Sequence, residues 1–428
     1  MRARLTDPLR LPCGVTLQNR LLKSAMTEGL ADATDQPTAA HEALYRAWSR
    51  GGTGTLITGN VMVDRRYLER PGNVVVEDEA VLPALQRWAA AGTEAGNQLW
   101  MQISHPGRQC SRMVAKQPVA PSAVQLQLGG LFGTPRALTE DEITDIIARY
   151  ARTATLARRA GFTGVQVHGA HGYLCSQFLS PRTNQRTDRW GGSLDNRARF
   201  LREAVRAVRK AVGPAYPVAV KLNSSDFLRG GFGAEESRKV ATFLVEDGID
   251  LLEISGGTYE QLSLLGMDSP DEPAKAEATR KREAYFLEYA TAMRQTAHVP
   301  LAVTGGFRTP AAMHAALEAG LLDVVGLARP LCVEPALSAR LLTGSSEPAR
   351  TDEHALRLAG GFLGPASSIK TVRALNGQAQ TAWYYAQLLQ LAAAKPPDLK
   401  LGALSALLSH YKREYRLASA RRAAGAPH

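Results

Sequence analysis

From about residue 20 to about residue 340, short and nearly uninterrupted apolar runs alternate with longer segments in which apolar residues recur every three or four positions. The first kind, rich in β-branched residues, suits strands buried on both faces of a parallel sheet, and the second suits amphipathic helices laid against it. Eight strands are predicted: "LLKSAM" (21–26), "GTLIT" (54–58), "QLWMQIS" (98–104), "GVQVH" (164–168), "PVAVKL" (217–222), "DLLEIS" (250–255), "PLAVTG" (300–305) and "LDVVGLA" (322–328). Between them lie helical stretches such as 140–160, which opens after Thr139 with an acidic first turn and stops at Gly161.

Eight strands each followed by a helix predict an α/β chain closed into a (β/α)8 TIM barrel. An open doubly wound sheet is the alternative, but it would carry a Gly-x-Gly-x-x-Gly turn after its first strand, and the sequence has none there. Long connections at 105–138 and 256–280 are expected at the C-terminal face, where barrel loops build active sites. The segment 8–18, around "RLPCGVT", reads as a short hairpin plugging the opposite end. Beyond residue 344 the alternation stops and helical segments follow, so the expected organisation is a barrel over 1–344 and a helical extension over 345–428.

Composition narrows the class without choosing a function. Of 428 residues 45% are hydrophobic and 21% charged, enough to bury a large core. The net charge of +11 favours anionic ligands or surfaces. Its one basic run, "YKREYRLASARR" (411–422), reads as a solvated helix face rather than a nucleic-acid patch. Four dispersed cysteines form no Cys-x-x-Cys pair, which predicts neither a disulfide framework nor a zinc or iron-sulfur site and fits a reducing cytoplasm. No apolar leader core and no run of about 18 apolar residues is present, so neither secretion nor membrane spanning is expected.

Chemistry concentrates in "VQVHGAHGYLCSQF" (165–178), where His168, His171 and Tyr173 follow one strand within six residues. A barrel points strand-end side chains into the site. Three readings compete with a catalytic role: a satisfied core histidine, a His-x-x-His chelate, and Tyr173 as an ordinary core aromatic. No Glu-x-x-His pattern supports the chelate, and no metal is expected.

The wider stretch "VHGAHGYLCSQFLSPRTNQRTDRWGGSLDNRARF" (167–200) resembles the signature of the old yellow enzymes, flavin-dependent ene-reductases, in their His/His form without an iron-sulfur domain. "NRLLKSAMTEGLAD", "WMQISHPGRQ", "VTGGFR" and "VGLARPL" extend the likeness over most of 8–335. The resemblance implies FMN over the barrel mouth and NAD(P)H as electron donor. It places Ala25, Met26 and Thr27 along the flavin, with Asn60 and Gln102 at polar edges of the site, and Lys221 beside N1 and O2 where relatives usually carry Arg. A lysine neutralised by an internal carboxylate is the competing, less favoured reading there. Gly305, Gly306 and Phe307, with Ala328 and Arg329, would hold the phosphate, although many relatives have Gly where Ala328 stands.

By the same resemblance, His168 and His171 would hydrogen-bond the carbonyl oxygen of an enone, hydride would reach its β carbon, and Tyr173 would protonate the α carbon. The implied partner is a small molecule, with no nucleic acid or membrane; a homo-oligomer is compatible with the sequence. Alternatives on the same barrel are a tRNA dihydrouridine synthase, an amine dehydrogenase or C–H-oxidising relative, and a flavin-binding scaffold without activity.

Overall fold

The computed structural model describes residues 3–128, 130–256, 287–361, 364–365 and 367–426. Eight strands form one parallel barrel: β1 (Leu21–Lys23), β2 (Thr55–Met62), β3 (Gln98–Ser104), β4 (Gly164–Gly169), β5 (Val218–Asn223), β6 (Leu251–Ser255), β7 (Leu301–Thr304) and β8 (Val324–Leu327). Each pairs with its successor, and β8 pairs with β1, so no edge is left open. The expected (β/α)8 TIM barrel is the observed fold.

Helices α1 (Ala39–Arg50), α2 (Leu82–Gly92), α3 (Glu140–Arg159), α4 (Leu194–Val212), α5 (Ala234–Glu246), α6 (Leu287–Arg294), α7 (Pro310–Glu318) and α8 (Leu337–Leu342) follow the strands in turn. The α3 start is a capping box: the Thr139 hydroxyl accepts from the Glu142 N–H, and the Glu142 carboxylate accepts from the Thr139 N–H. Most strand ends fall within one or two residues of expectation, and two differ by more. β1 stops at Lys23, because after the Ser24 N–H bonds the Leu327 carbonyl at 2.8 Å the chain leaves the ladder with Ala25 and Met26 outside it. β2 runs on to Met62, with an irregular ladder between Ile57 and Asn60.

The barrel interior is layered by the two-residue period of its strands. Leu22, Ile57, Trp100, Ala219, Leu251, Ala302 and Val324 form an apolar floor, sealed by Leu11 and Leu17 of the antiparallel hairpin that pairs Leu9–Arg10 with Thr16–Leu17. Two positions further along six of those strands the residues are Ser24, Gln102, Lys221, Glu253, Thr304 and Gly326, so the interior turns polar towards the C-terminal end. Glycine at 326 is required by packing: a Cβ there would lie 1.8 Å from the Thr304 hydroxyl.

After α8, two long helices, α9 (Lys370–Ala392) and α10 (Ala403–Ala423), pack on each other, and α9 also lies against α1. Ala379, Ala382 and Trp383 of α9 join the same buried core as the barrel helices. α10 reaches the loops after β1 and β2: Glu414 pairs with Arg70 at 2.5 Å and Arg421 with Asp35 at 2.9 Å, all four buried. Among the described residues no helix is long and apolar enough to cross a membrane.

Candidate active site

The strand ends of β3 to β8 bring their polar residues to one end of the barrel. His168 ends inside β4, opposite Lys221 of β5, and is 2% exposed. Its ring centroid lies 5.2 Å from that of His171 and 4.7 Å from that of Tyr173, so the three expected residues converge. His168 Nδ1 is buried without a hydrogen-bond partner. In a protein interior such an atom is rare and costly, and a bound ligand is one way to satisfy it.

His171 adopts φ +60°, a left-handed conformation that a residue with a Cβ occupies only when its surroundings hold it there. Two hydrogen bonds do so: its N–H donates to Asn223 Oδ1 at 3.1 Å, and its carbonyl accepts from Gln109 Nε2 at 3.1 Å. The ring Nε2 lies 2.7 Å from the Ser255 hydroxyl, which leaves Nδ1 for a ligand. Tyr173, 3% exposed, caps the short helix Leu174–Leu179 that follows.

Both imidazoles are neutral. Burial, then the neighbouring His171 ring, which would compete for the same proton, and the Lys221 ammonium hold His168 well below the ordinary range, and burial, then Lys221, lowers His171 to about 3. Neutral rings donate one hydrogen bond each without adding charge to the site. The sign for stability follows: above the unfolded value of 6.5 the two states bind protons alike, while below it the unfolded chain gains a proton that folded His171 refuses. Stability is therefore lost as pH falls from about 6.5 towards 3. At pH 5 the loss would be about 2 kcal/mol for a fully shielded ring and less for partly open His171. Comparing Tm between pH 7 and pH 5, His171→Asn is expected to show a smaller drop than wild type.

Beside His168 in the strand register lies a buried ion pair. Lys221 Nζ is 3.0 Å from Glu253 Oε1 and donates to Ser24 Oγ at 2.7 Å. Glu253 also accepts from Ser24 at 2.6 Å, Thr304 at 2.7 Å and Gln166 at 2.7 Å. Burial would raise its pKa, but the Lys221 ammonium and these three hydrogen bonds outweigh burial and hold it below the usual carboxylate range. The less favoured expectation for Lys221, an internal carboxylate partner, is thus met by Glu253, and the pairing leaves its expected place beside a flavin untouched. Glu253 was missed, although a lone carboxylate two residues after Leu251 in an otherwise apolar strand was a readable signal.

Gln102 donates from Nε2 to Gln166 Oε1 at 2.6 Å, which joins it to Glu253 through Gln166. Thr27 and Asn60 are brought together by an unforeseen carboxylate, Glu69, whose Oε2 accepts from the Thr27 hydroxyl at 2.9 Å and Asn60 Nδ2 at 2.6 Å; Asn60 Oδ1 remains buried without a partner. Ala25 and Met26 are half-buried beside them in sequence. At the end of β7, Gly305 (φ +133°) and Gly306 (φ +86°) take backbone angles that disfavour a Cβ, and Phe307 is buried. Across from that turn Ala328 and Arg329 follow β8. Arg329 lies 3.8 Å from Glu353, a carboxylate of the segment after α8 that also holds Arg308 at 2.5 Å and accepts from Tyr384 at 2.5 Å. Burial would raise Glu353, but Arg329 and Arg308 pull it down to about 2. Nothing periodic marks Glu69, in an irregular segment, or Glu353, in the single 3-10 turn Asp352–His354. The loop expected at 256–280 falls, from 257 on, outside the described residues.

These residues fit FMN. The unpartnered atoms of His168 and Asn60, the carboxamide of Gln102 and the strand-end ammonium of Lys221 offer polar contacts for a flavin ring, and the glycine turn with Arg329 offers a phosphate cradle.

Comparison with known proteins agrees. Residues 4–347 match the model of the NADH:flavin oxidoreductase / NADH oxidase family. The chain is 39% identical over 351 residues to NADH-dependent flavin oxidoreductase iliE of Hypocrea jecorina, covering 77% of this chain and 86% of that protein. It is 35% identical over 414 residues to NADH-dependent flavin oxidoreductase iccE of Talaromyces variabilis, covering 91% of this chain and 98% of that one. That share exceeds what residues 4–347 supply, so the likeness reaches into the C-terminal helices. The solved structure of morphinone reductase superposes with a TM-score of 0.65 at 27% identity, over 81% of this chain and 91% of that one. The chain belongs to the NADH:flavin oxidoreductase / NADH oxidase family, that of the old yellow enzymes, and is an FMN-dependent oxidoreductase that takes its electrons from NAD(P)H.

Proposed function

We propose that the protein reduces the activated C=C bond of α,β-unsaturated carbonyl compounds. The observation that carries this reading is the cluster at the end of β4, where two neutral imidazoles and a phenol meet within ring-contact distance and one buried imidazole nitrogen lacks a partner. When bound, FMN supplies the hydride that it receives from NAD(P)H. The chain's own residues supply the polarisation and the proton. His168 and His171 donate hydrogen bonds to the carbonyl oxygen and stabilise the enolate charge that develops there. Ser255, by donating to His171 Nε2, would keep the ring proton on Nδ1, the nitrogen left for substrate. Tyr173 delivers the proton to the α carbon. Lys221, tempered by Glu253, stabilises the reduced cofactor from below.

Anaerobic titration of the purified protein with NADPH or NADH, followed by cyclohexenone, tests the reading in one cuvette. The expected result is bleaching of the visible flavin band by the nucleotide and its return on adding the enone. A band that bleaches and stays bleached with cyclohexenone, yet recovers with other acceptors, would remove enones as the substrate class.

A further inference from the structure

The basic run 411–422, expected to be a solvated helix face, is largely that, with Lys412, Arg416 and Arg422 exposed, and it borders an open surface hollow of about 420 Å³. Its lining among the described residues is Ser409, Lys412, Arg413, Arg416, Leu417 and Ala420, all from α10. Three cations therefore share one helix face. The carboxylate within that stretch, Glu414, does not neutralise them, because it is buried and engaged by Arg70 at 2.5 Å.

The groove lies at the barrel mouth. Arg413 donates to the Gly29 carbonyl at 2.8 Å, and Leu417 Cδ1 lies 3.0 Å from where a Cβ on Gly72 would stand. Gly29 is two residues past Thr27, at most about 7 Å of chain, which puts the Arg413 guanidinium within roughly 10 Å of the Thr27 backbone. An extended dinucleotide spans more than that.

The donor is a nicotinamide dinucleotide, yet the chain has no glycine-rich turn of the kind that binds pyrophosphate in doubly wound domains. Its phosphates need a partner near the mouth. We propose that the α10 groove binds the phosphate-bearing adenylate end of NAD(P)H while the nicotinamide reaches the flavin. Lys412 and Arg416, both exposed, meet the phosphate oxygens, and Arg413, fixed on Gly29, sets the inner limit of the groove. A nucleic acid would need a cationic track continuing across the surface, whereas these cations are confined to one helix face that touches the loops after β1 and β2. The proposal rests on FMN lying over the barrel mouth.

The test is stopped-flow, anaerobic reduction of the FMN-loaded full-length protein, with the double variant Lys412→Ala/Arg416→Ala against wild type. Three donors are compared: NADH, NADPH and reduced nicotinamide mononucleotide, which lacks the adenylate half. The half-saturating concentration of NADH or NADPH is expected to rise about tenfold with the limiting rate of reduction unchanged, while the mononucleotide is unaffected. An equal rise for both dinucleotides assigns the groove to the pyrophosphate; a larger rise for NADPH assigns it to the 2′-phosphate. No change for either dinucleotide, or the same loss with the mononucleotide, overturns the proposal. Because no enone is present, the outcome is independent of the acceptor assigned above, and a wild-type flavin that no donor bleaches would refute the placement of FMN instead.

Discussion

Tyr173→Phe is expected to slow enone turnover by roughly 10² to 10⁴, the usual worth of a positioned general acid, while FMN binding and reduction by NAD(P)H proceed almost as in wild type. The separation is informative because the Tyr173 ring packs 4.7 Å from His168 and is 3% exposed, so losing the hydroxyl leaves the packing of the phenyl ring intact. Rapid-mixing kinetics of the two half-reactions read the two effects apart. Equal damage to both would mean that the phenol supports the cofactor rather than the substrate, and the acid would have to be sought elsewhere. A normal oxidative half-reaction would show that solvent supplies the proton.

Glu253→Leu is expected to destabilise the fold by about 3–5 kcal/mol, because it strands the Lys221 ammonium in the barrel without its carboxylate. The double variant Glu253→Leu/Lys221→Met should recover much of that loss, since an apolar pair needs no compensation; a urea melt of the four-member cycle gives the coupling directly. A milder change, Glu253→Gln, keeps polar groups for Ser24, Thr304 and Gln166 while removing the charge. With the cation no longer offset, the reduced and more negative flavin is favoured, and the midpoint potential of bound FMN should rise by on the order of tens of millivolts. A potential that falls or does not move would place Lys221 away from the flavin, whatever the melts show.

How much of this could be read from the chain itself differs by element. The barrel was legible because strands buried on both faces are continuously apolar and alternate with helices of a different period, a signal repeated eight times. The convergence of His168, His171 and Tyr173 was legible because all three sit on one strand end and the turn after it, where sequence proximity is spatial proximity. Glu69 and Glu353 were not, since each meets its partners through loop geometry that no periodicity encodes: Glu69 meets Thr27 from 42 residues away, and Glu353 meets Arg308 from 45 residues away. Glu253 stands between these cases. Its strand was predicted and its inward face followed from Leu251, but its partner Lys221 could be paired with it only through the parallel register of β5 and β6, in which the two are directly opposite. The basic face of α10 was legible as charge and illegible as a place, because its position at the mouth depends on docking across 384 residues, from Arg413 to Gly29.

The hairpin that seals the apolar floor has a kinetic corollary. With Leu11 and Leu17 packed under the apolar floor, the polar end of the barrel is, among the described residues, the end that carries the site, and reductant and oxidant are expected to take turns there. Double-reciprocal plots should then run parallel, and an excess of either reactant should obstruct the other.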